Sequence, residues 1–140
     1  MSGETKGAGF ADALLAELQF DEKGLIPAIA QQQDSGEVLM LAWMSAESIR
    51  ETLSSGYVCY WSRSRGSLWR KGETSGHVQK LIELRYDCDD DAILLLIDQT
   101  GPACHTNRRS CFHKTVREGR VEILCAPEET VRSPEDRAGD

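Results

Sequence analysis

The sequence predicts one α+β domain that is built mainly from antiparallel strands with few helices. Several short stretches are rich in β-branched, aromatic or alternating apolar residues, turn signals separate them, and no alternation of strands with helices connects them. A chain of 140 residues, of which 40% are hydrophobic, can bury one core but has little room for a second catalytic module. We therefore expect one type of active site.

The N-terminal half opens with a short helix and a hairpin. Residues 11–18 have the pattern of a short amphipathic helix. Two apolar stretches, 25–31 and 38–43, flank the turn sequence Asp-Ser-Gly at 34–36. This arrangement predicts two strands joined by a tight turn.

A second helix is expected directly after the hairpin. Ser45 is a good N-cap, Ile49 and Leu53 follow at helical spacing, and Gly56 can end the helix in a left-handed conformation. The alternating, aromatic or aliphatic composition of later segments predicts three further strands, at residues 57–61, 78–86 and 92–98.

Both ends of the chain differ in composition from its centre. We expect residues 1–19 to form a flexible or helical extension and residues 20–125 to form the catalytic domain. Residues 126–140 are rich in Pro, Glu, Ser and Arg, which predicts a disordered tail.

Charge and cysteine content exclude several classes of protein. The 16 Lys and Arg residues against 23 Asp and Glu residues give a net charge of -7, which disfavours binding to nucleic acid or to anionic membranes. No export signal is present, and the longest aliphatic run, residues 92–97, is too short to span a bilayer. Five cysteines without an export signal favour reduced thiols and a cytoplasmic location.

An acidic segment with one cysteine lies between two of the predicted strands. In an extended backbone Asp87, Asp89 and Asp91 would share one face, and Cys88 would point to the other. Converging carboxylates repel each other unless a hard cation neutralises them, so the segment predicts a magnesium site. The alternative is a solvated acidic turn, since charge runs are usually exposed.

The settings of the cysteines divide them into two groups. Cys88, Cys104 and Cys111 lie among polar residues, and three thiolates with an open fourth position are typical of a catalytic zinc site. The chain contains no CxxC pair, which would have strengthened that interpretation. Cys59 and Cys125 lie among apolar residues, and we expect both to be buried as ordinary hydrophobic residues.

A basic segment at residues 61–76 contrasts with the acidic whole. Its cations, hydroxyls and glycines favour an anion-binding surface for phosphates, and the Arg108–Arg109 pair adds a second basic patch. An ordinary solvated loop is the alternative. The candidate phosphate ligands are Arg63, Arg65, Lys71, Thr74 and Ser75.

Over about residues 20–116 the chain closely resembles the phosphoribosyl-AMP cyclohydrolase family. Several long motifs carry the resemblance in the expected order, at residues 27–31, 37–44, 60–76, 87–91 and 101–112. The resemblance implies zinc bound by Cys88, Cys104 and Cys111, and magnesium bound by Asp87, Asp89 and Asp91. It also implies an intimate homodimer whose zinc sites draw cysteines from both subunits, and an enzyme of histidine biosynthesis. Some members are fused to a pyrophosphohydrolase domain, which this sequence does not contain, so we expect the monofunctional form.

The implied reaction is hydrolytic opening of the adenine ring of phosphoribosyl-AMP. Zinc lowers the pKa of bound water toward ~7, and the resulting nucleophile can add to carbon C6 before the bond from C6 to N1 breaks. His105 is the candidate proton shuttle, because it follows Cys104 and an imidazole titrates near neutral pH. A structural histidine bonded to backbone is the alternative for this residue.

Two other functional classes use similar residues. A zinc nucleoside deaminase attacks the same carbon, but its second cysteine is absent at Asn107 and no His-x-Glu sequence occurs in the chain. A structural zinc module that binds nucleic acid or protein would need closed ligation and a basic surface, against which the net charge and the acidic segment argue.

Overall fold

The computed structural model describes residues 9–128, so the expectations for residues 1–8 and 129–140 lie outside the described part of the chain. Within it the fold is α+β, as predicted. The two helices are α1 (Ala11–Glu17) and α2 (Ala46–Ser55). The strands are β1 (Leu25–Gln32), β2 (Val38–Ser45), β3 (Cys59–Ser62), β4 (Ser67–Arg70), β5 (Gln79–Tyr86), β6 (Ile93–Gln99), β7 (Lys114–Arg117) and β8 (Arg120–Ile123).

Six strands form one sheet in the order β4-β3-β2-β1-β6-β5, and β7 and β8 form a separate hairpin. Neighbouring strands in the main sheet are antiparallel except β1 and β6, which are parallel. Tyr57 and Lys80 form an isolated antiparallel bridge, so the sheet curls until β5 reaches the chain just before β3. The mainly antiparallel class is confirmed, while the parallel pair was not predicted.

The predicted hairpin and the capped helix are both present. Strands β1 and β2 pair from Leu25 opposite Ser45 onward. Ser45 Oγ accepts the Ser48 backbone N–H at 3.1 Å, and Ser48 Oγ accepts the Ser45 backbone N–H at 2.8 Å. Gly56 ends α2 with φ of 83°, and its N–H donates to Thr52 O at 2.9 Å.

The core lies between the concave side of the sheet and the two helices. Its fully buried apolar side chains come from β1, β2, α2, β6 and the start of β3. Leu14 of helix α1 and Leu18 just after it join this core, which explains why the sequence carries an amphipathic pattern there. Neither helix has the length and apolar content needed to cross a membrane, within residues 9–128.

The sequence did not predict β4 or the β7–β8 hairpin. The hairpin lies outside the main sheet and pairs Val116 with Val121. Val116, Val121 and Ile123 are all strongly exposed.

The prediction that Cys59 is buried is confirmed. The prediction that Cys125 is buried is wrong, because Cys125 follows this peripheral hairpin and is exposed.

Thr52 joins α2 to β3 and gives the first testable prediction. Its buried Oγ1 donates to Ser48 O at 2.8 Å and accepts the Cys59 N–H at 2.9 Å. Thr52→Val keeps the shape but leaves that N–H without a partner, so the free energy of unfolding should fall by about 1–3 kcal/mol.

Urea denaturation of the Thr52→Val protein measures this change. Thr100→Val, at an exposed threonine, is the matched control and should shift stability by less than about 0.5 kcal/mol. Equal midpoints for Thr52→Val and the unsubstituted protein would refute the assignment.

Candidate metal centres and substrate surface

The acidic segment forms a turn between β5 and β6, not the extended stretch predicted from the sequence. The Asp90 N–H donates to Asp87 O at 3.0 Å, and Asp90 has φ of 65°. The extended-backbone argument is therefore wrong, because the chain must reverse direction between two antiparallel neighbours. We call residues 87–91 the acidic turn.

The acidic turn nevertheless brings Asp87, Asp89 and Asp91 together. One carboxylate oxygen from each lies within 4.8 Å of the others. Asp87 Oδ1 also accepts the backbone N–H groups of Asp91 and Ala92, at 3.0 Å and 3.2 Å. The hydrogen-bonded carboxyl of Asp89 raises the pKa of Asp91, together with partial desolvation and the charge of Asp87. An oxygen-only cluster that resists full ionisation suits a hard divalent cation.

Cys104 and Cys111 lie on a second loop, residues 101–113, which we call the thiol loop. Inside it, the Ala103 N–H donates to Arg109 O at 3.0 Å and the Cys104 N–H donates to Arg108 O at 3.1 Å. The Cys111 N–H donates to Leu39 O at 2.7 Å, which fixes the second cysteine against the start of β2.

The two thiols of this loop are close enough to influence each other's pKa. Although burial alone would raise the pKa of Cys104, hydrogen bonds from Thr106 and from Cys111 hold that pKa below its ordinary value. Cys104 Sγ lies 2.9 Å from Thr106 Oγ1. Partial burial of the thiol, with Cys104 beside it, raises the pKa of Cys111 to about 11, and the charge of Lys71 opposes that rise. This pair offers two ligands to a soft metal.

A polar network behind the sheet anchors the thiol loop. Arg109 donates to Gln99 O at 3.3 Å, to Gly101 O at 2.9 Å and to Gln32 Oε1 at 3.0 Å. Gln99 in turn accepts from Gln79 at 2.9 Å. Arg109 is thus engaged by oxygens of β1, β6 and its own loop, and it also lies 3.5 Å from Glu37, which argues against the phosphate patch suggested by the sequence.

Cys88 lies far from the other two predicted zinc ligands. The seven residues of β6, Ile93–Gln99, separate the acidic turn from the thiol loop, and a strand of that length spans roughly 20 Å. In the part of the chain from residue 9 to residue 128, the carboxylates of the acidic turn form the only group of three or more potential metal ligands. One chain therefore brings together two of the three predicted thiols.

The predicted phosphate ligands fall at two ends of the β3–β4 hairpin. Arg63 and Arg65 are exposed in the turn that joins β3 to β4, and the Arg63 guanidinium lies 4.7 Å from the centre of the Trp43 ring. Lys71 is buried after β4, where its Nζ donates to Ala103 O at 2.8 Å. Thr74 and Ser75 follow Lys71 in the next turn, so the structure does not bring the five residues together.

Arg63 lies at the edge of the sheet where β1 begins and β2 ends, and the acidic turn precedes β6 at the same edge. Trp43 pairs with Trp61 near the end of β2, and β1 begins opposite that end and runs parallel to β6. A cleft of about 280 Å³ on this edge is lined by Lys23, Leu25, Ser45, Trp61 and Arg63. Lys23 was not predicted as a site residue, because it lies in a turn far along the chain from Arg63.

Of the three histidines, only His105 is exposed. His113 is buried with Nδ1 3.0 Å from Ser110 O. His77 is partly buried, and its ring packs so closely on Gly101 that a Cβ there would lie 2.8 Å from His77 Cδ2. His105 is therefore the histidine of the thiol loop that a substrate can reach.

Comparisons with known proteins agree with this arrangement of the acidic turn and the thiol loop. The family model of phosphoribosyl-AMP cyclohydrolase matches residues 40–113, a stretch that includes both the acidic turn and the thiol loop. The chain is 66% identical over 113 residues to a phosphoribosyl-AMP cyclohydrolase of Paracoccus denitrificans, covering 81% of this chain and 93% of the relative.

Two further relatives bear the same name. One from Rhodospirillum centenum is 66% identical over 81% of this chain and 85% of its own. Another, from Alkalilimnicola ehrlichii, is 63% identical over 83% of this chain and 82% of its own. The family model matches more than half of the chain, and these identities extend over most of each relative. The chain therefore belongs to the phosphoribosyl-AMP cyclohydrolase family.

Proposed function

We propose that this protein hydrolyses the bond from N1 to C6 in the adenine ring of 1-(5-phosphoribosyl)-AMP. The product is the phosphoribosylformimino aminoimidazole carboxamide ribotide, and the reaction is a step of L-histidine biosynthesis. The observation that carries the proposal is the 66% identity to a named cyclohydrolase over 93% of that relative's length. The matched residues 40–113 contain every predicted metal ligand.

The proposed zinc centre combines residues of two chains. Cys104 and Cys111 supply two of the three thiols, and their position in one loop, where each influences the other's pKa, supports a shared metal. Cys88 is exposed at the other end of β6, so it is free to meet the thiol loop of a second copy. A two-fold axis would then generate two equivalent zinc sites, each with three thiolates and one open position.

Exposed apolar side chains support a homodimer. Val116 and Val121 are 74% and 81% exposed, and Ile123 on the same hairpin is 61% exposed. An isolated two-stranded hairpin is marginal in water, so this one needs a surface that covers its apolar side chains. The hairpin directly follows the thiol loop. A second copy that brings its Cys88 to Cys111 would therefore lie close enough to cover the hairpin.

The acidic turn is the proposed magnesium site. Its three clustered carboxylates are exposed, oxygen-only and close to the cations of the Lys23–Arg63 cleft on the same edge. The substrate carries phosphate groups, so a magnesium site and exposed arginines together can bind its two phosphorylated ends. Arg63 and Arg65 are the proposed phosphate ligands, with Thr74 and Ser75 near the thiol loop.

Zinc held by Cys88, Cys104 and Cys111 would supply a water of lowered pKa as the nucleophile for carbon C6. The chain's own residues decide which nitrogen then leaves. His105, exposed next to Cys104, is placed to give a proton to N1, so that N1 leaves and the exocyclic amine stays on the carbon as a carboxamide. A proton delivered to the amine would instead release ammonia and keep the ring closed, as in a deaminase.

The first prediction of this proposal concerns the fate of the exocyclic amine. On substrate labelled there with nitrogen-15, the metal-loaded protein should retain the label in a ring-opened carboxamide, as observed by NMR. Chelator-treated protein is the control and should leave the substrate unchanged. Stoichiometric labelled ammonium with an intact purine spectrum would contradict the proposal, and full turnover by His105→Ala would assign the proton to another group.

The second prediction separates the members of the acidic turn. Asp89→Asn should raise the magnesium concentration for half-maximal activity by about tenfold or more, because it removes one of three clustered carboxylates. Asp90→Asn is the matched control, since Asp90 is outside the cluster and Asn tolerates its φ of 65°. A magnesium titration measures both, and equal shifts would exclude the proposed ligand set.

A further inference from the structure

Lys71 is the only lysine or arginine that is buried among residues 9–128, with 6% of its surface exposed. Burying an ammonium group is costly unless other groups compensate its charge. The backbone at Lys71 is also held in place. Its N–H donates to Val58 O at 3.2 Å, and Gly72 packs so tightly that a Cβ would lie 2.5 Å from His77 C.

The side chain of Lys71 crosses from the end of β4 to the thiol loop. Its Nζ donates to Ala103 O at 2.8 Å, the carbonyl that directly precedes Cys104. The same Nζ lies 5.5 Å from the centre of the Trp69 ring, which covers it on one side. Lys71 thus presents its charge to the segment that carries the two thiols.

The proposed zinc centre creates a need for this charge. Three thiolates carry one more negative charge than a zinc ion neutralises, and the excess lies in a partly buried loop. A fixed cation beside the loop offsets it. Because Lys71 is buried against the loop, its side chain offers little exposed surface to a substrate phosphate, the ligand that the sequence suggested for it.

We propose that Lys71 is a positioning residue of the zinc centre, which holds the Ala103 carbonyl and places a compensating positive charge beside Cys104 and Cys111. The proposal rests on the proposed zinc site. It assigns Lys71 no contact with the substrate, and it separates Lys71 from Arg63 and Arg65, with which the sequence grouped it.

Zinc affinity is the direct test. The dissociation constant is measured at equilibrium against a chromophoric chelator for Lys71→Met, Lys71→Arg and the unsubstituted protein. Lys71→Met removes both the charge and the donor and should raise the constant by about tenfold or more. Lys71→Arg keeps both and should restore most of the affinity. Lys80→Met, at an exposed lysine of β5, is the control and should leave the constant unchanged.

A third substitution separates charge from folding effects. Lys71→Gln can still donate to Ala103 O but carries no charge, and it replaces Lys71→Met if that protein does not fold. It should bind zinc more weakly than Lys71→Arg, at equal helix content by circular dichroism. Equal zinc affinities for the neutral variants, Lys71→Arg and the unsubstituted protein would overturn the proposal.

The result of the zinc-affinity series is distinguishable from a failure of the proposed reaction. Unsubstituted protein that binds zinc but leaves phosphoribosyl-AMP intact would refute the activity alone, and the affinity series would still decide the role of Lys71. Unsubstituted protein that binds no zinc would overturn both proposals.

Discussion

Strand β6 is the constraint on which the candidate site depends. It carries the acidic turn at its start and leads into the thiol loop at its end, and its neighbours β1 and β5 fix its direction. Because an extended strand neither shortens nor lengthens appreciably, the two ligand groups stay roughly 20 Å apart in one chain. In the proposed zinc centre Cys88 therefore belongs with the thiol loop of a second copy, and the proposed site requires two chains.

The thiol loop can hold its cysteines in place because buried polar groups tie it to the sheet. Arg109 binds a side-chain oxygen of β1 and a backbone oxygen of β6, and Lys71, just after β4, binds the loop at Ala103 O. Throughout residues 9–128, no buried side-chain nitrogen or oxygen lacks a hydrogen-bond partner. Such a network is expensive to bury but rigid once it is complete, which suits a loop that we propose to present two metal ligands at fixed positions.

Local signals predicted the local structure well. The β1–β2 hairpin and the Ser45-capped helix followed from short sequence patterns, and the family resemblance named the family that the comparisons confirm. Long-range contacts were not predictable in this way. Lys71 is buried against Ala103, which lies far along the chain. Because its sequence neighbours are polar, nothing local indicated that burial. The carboxylates of the acidic turn do cluster, but through a left-handed turn at Asp90 that alternation did not indicate.

The two-chain zinc centre is tested most directly by mixing two inactive variants, Cys88→Ser and Cys104→Ser, under conditions that exchange subunits. A heterodimer of these chains contains one site with all three thiols, so random mixing should restore about a quarter of the zinc content and activity of the unsubstituted protein. Mixing Cys104→Ser with Cys111→Ser is the control, because every site then lacks a thiol, and it should restore none. If the first mixture stays as inactive as the control, or if Cys88→Ser alone keeps full zinc and activity, the two-chain centre is contradicted.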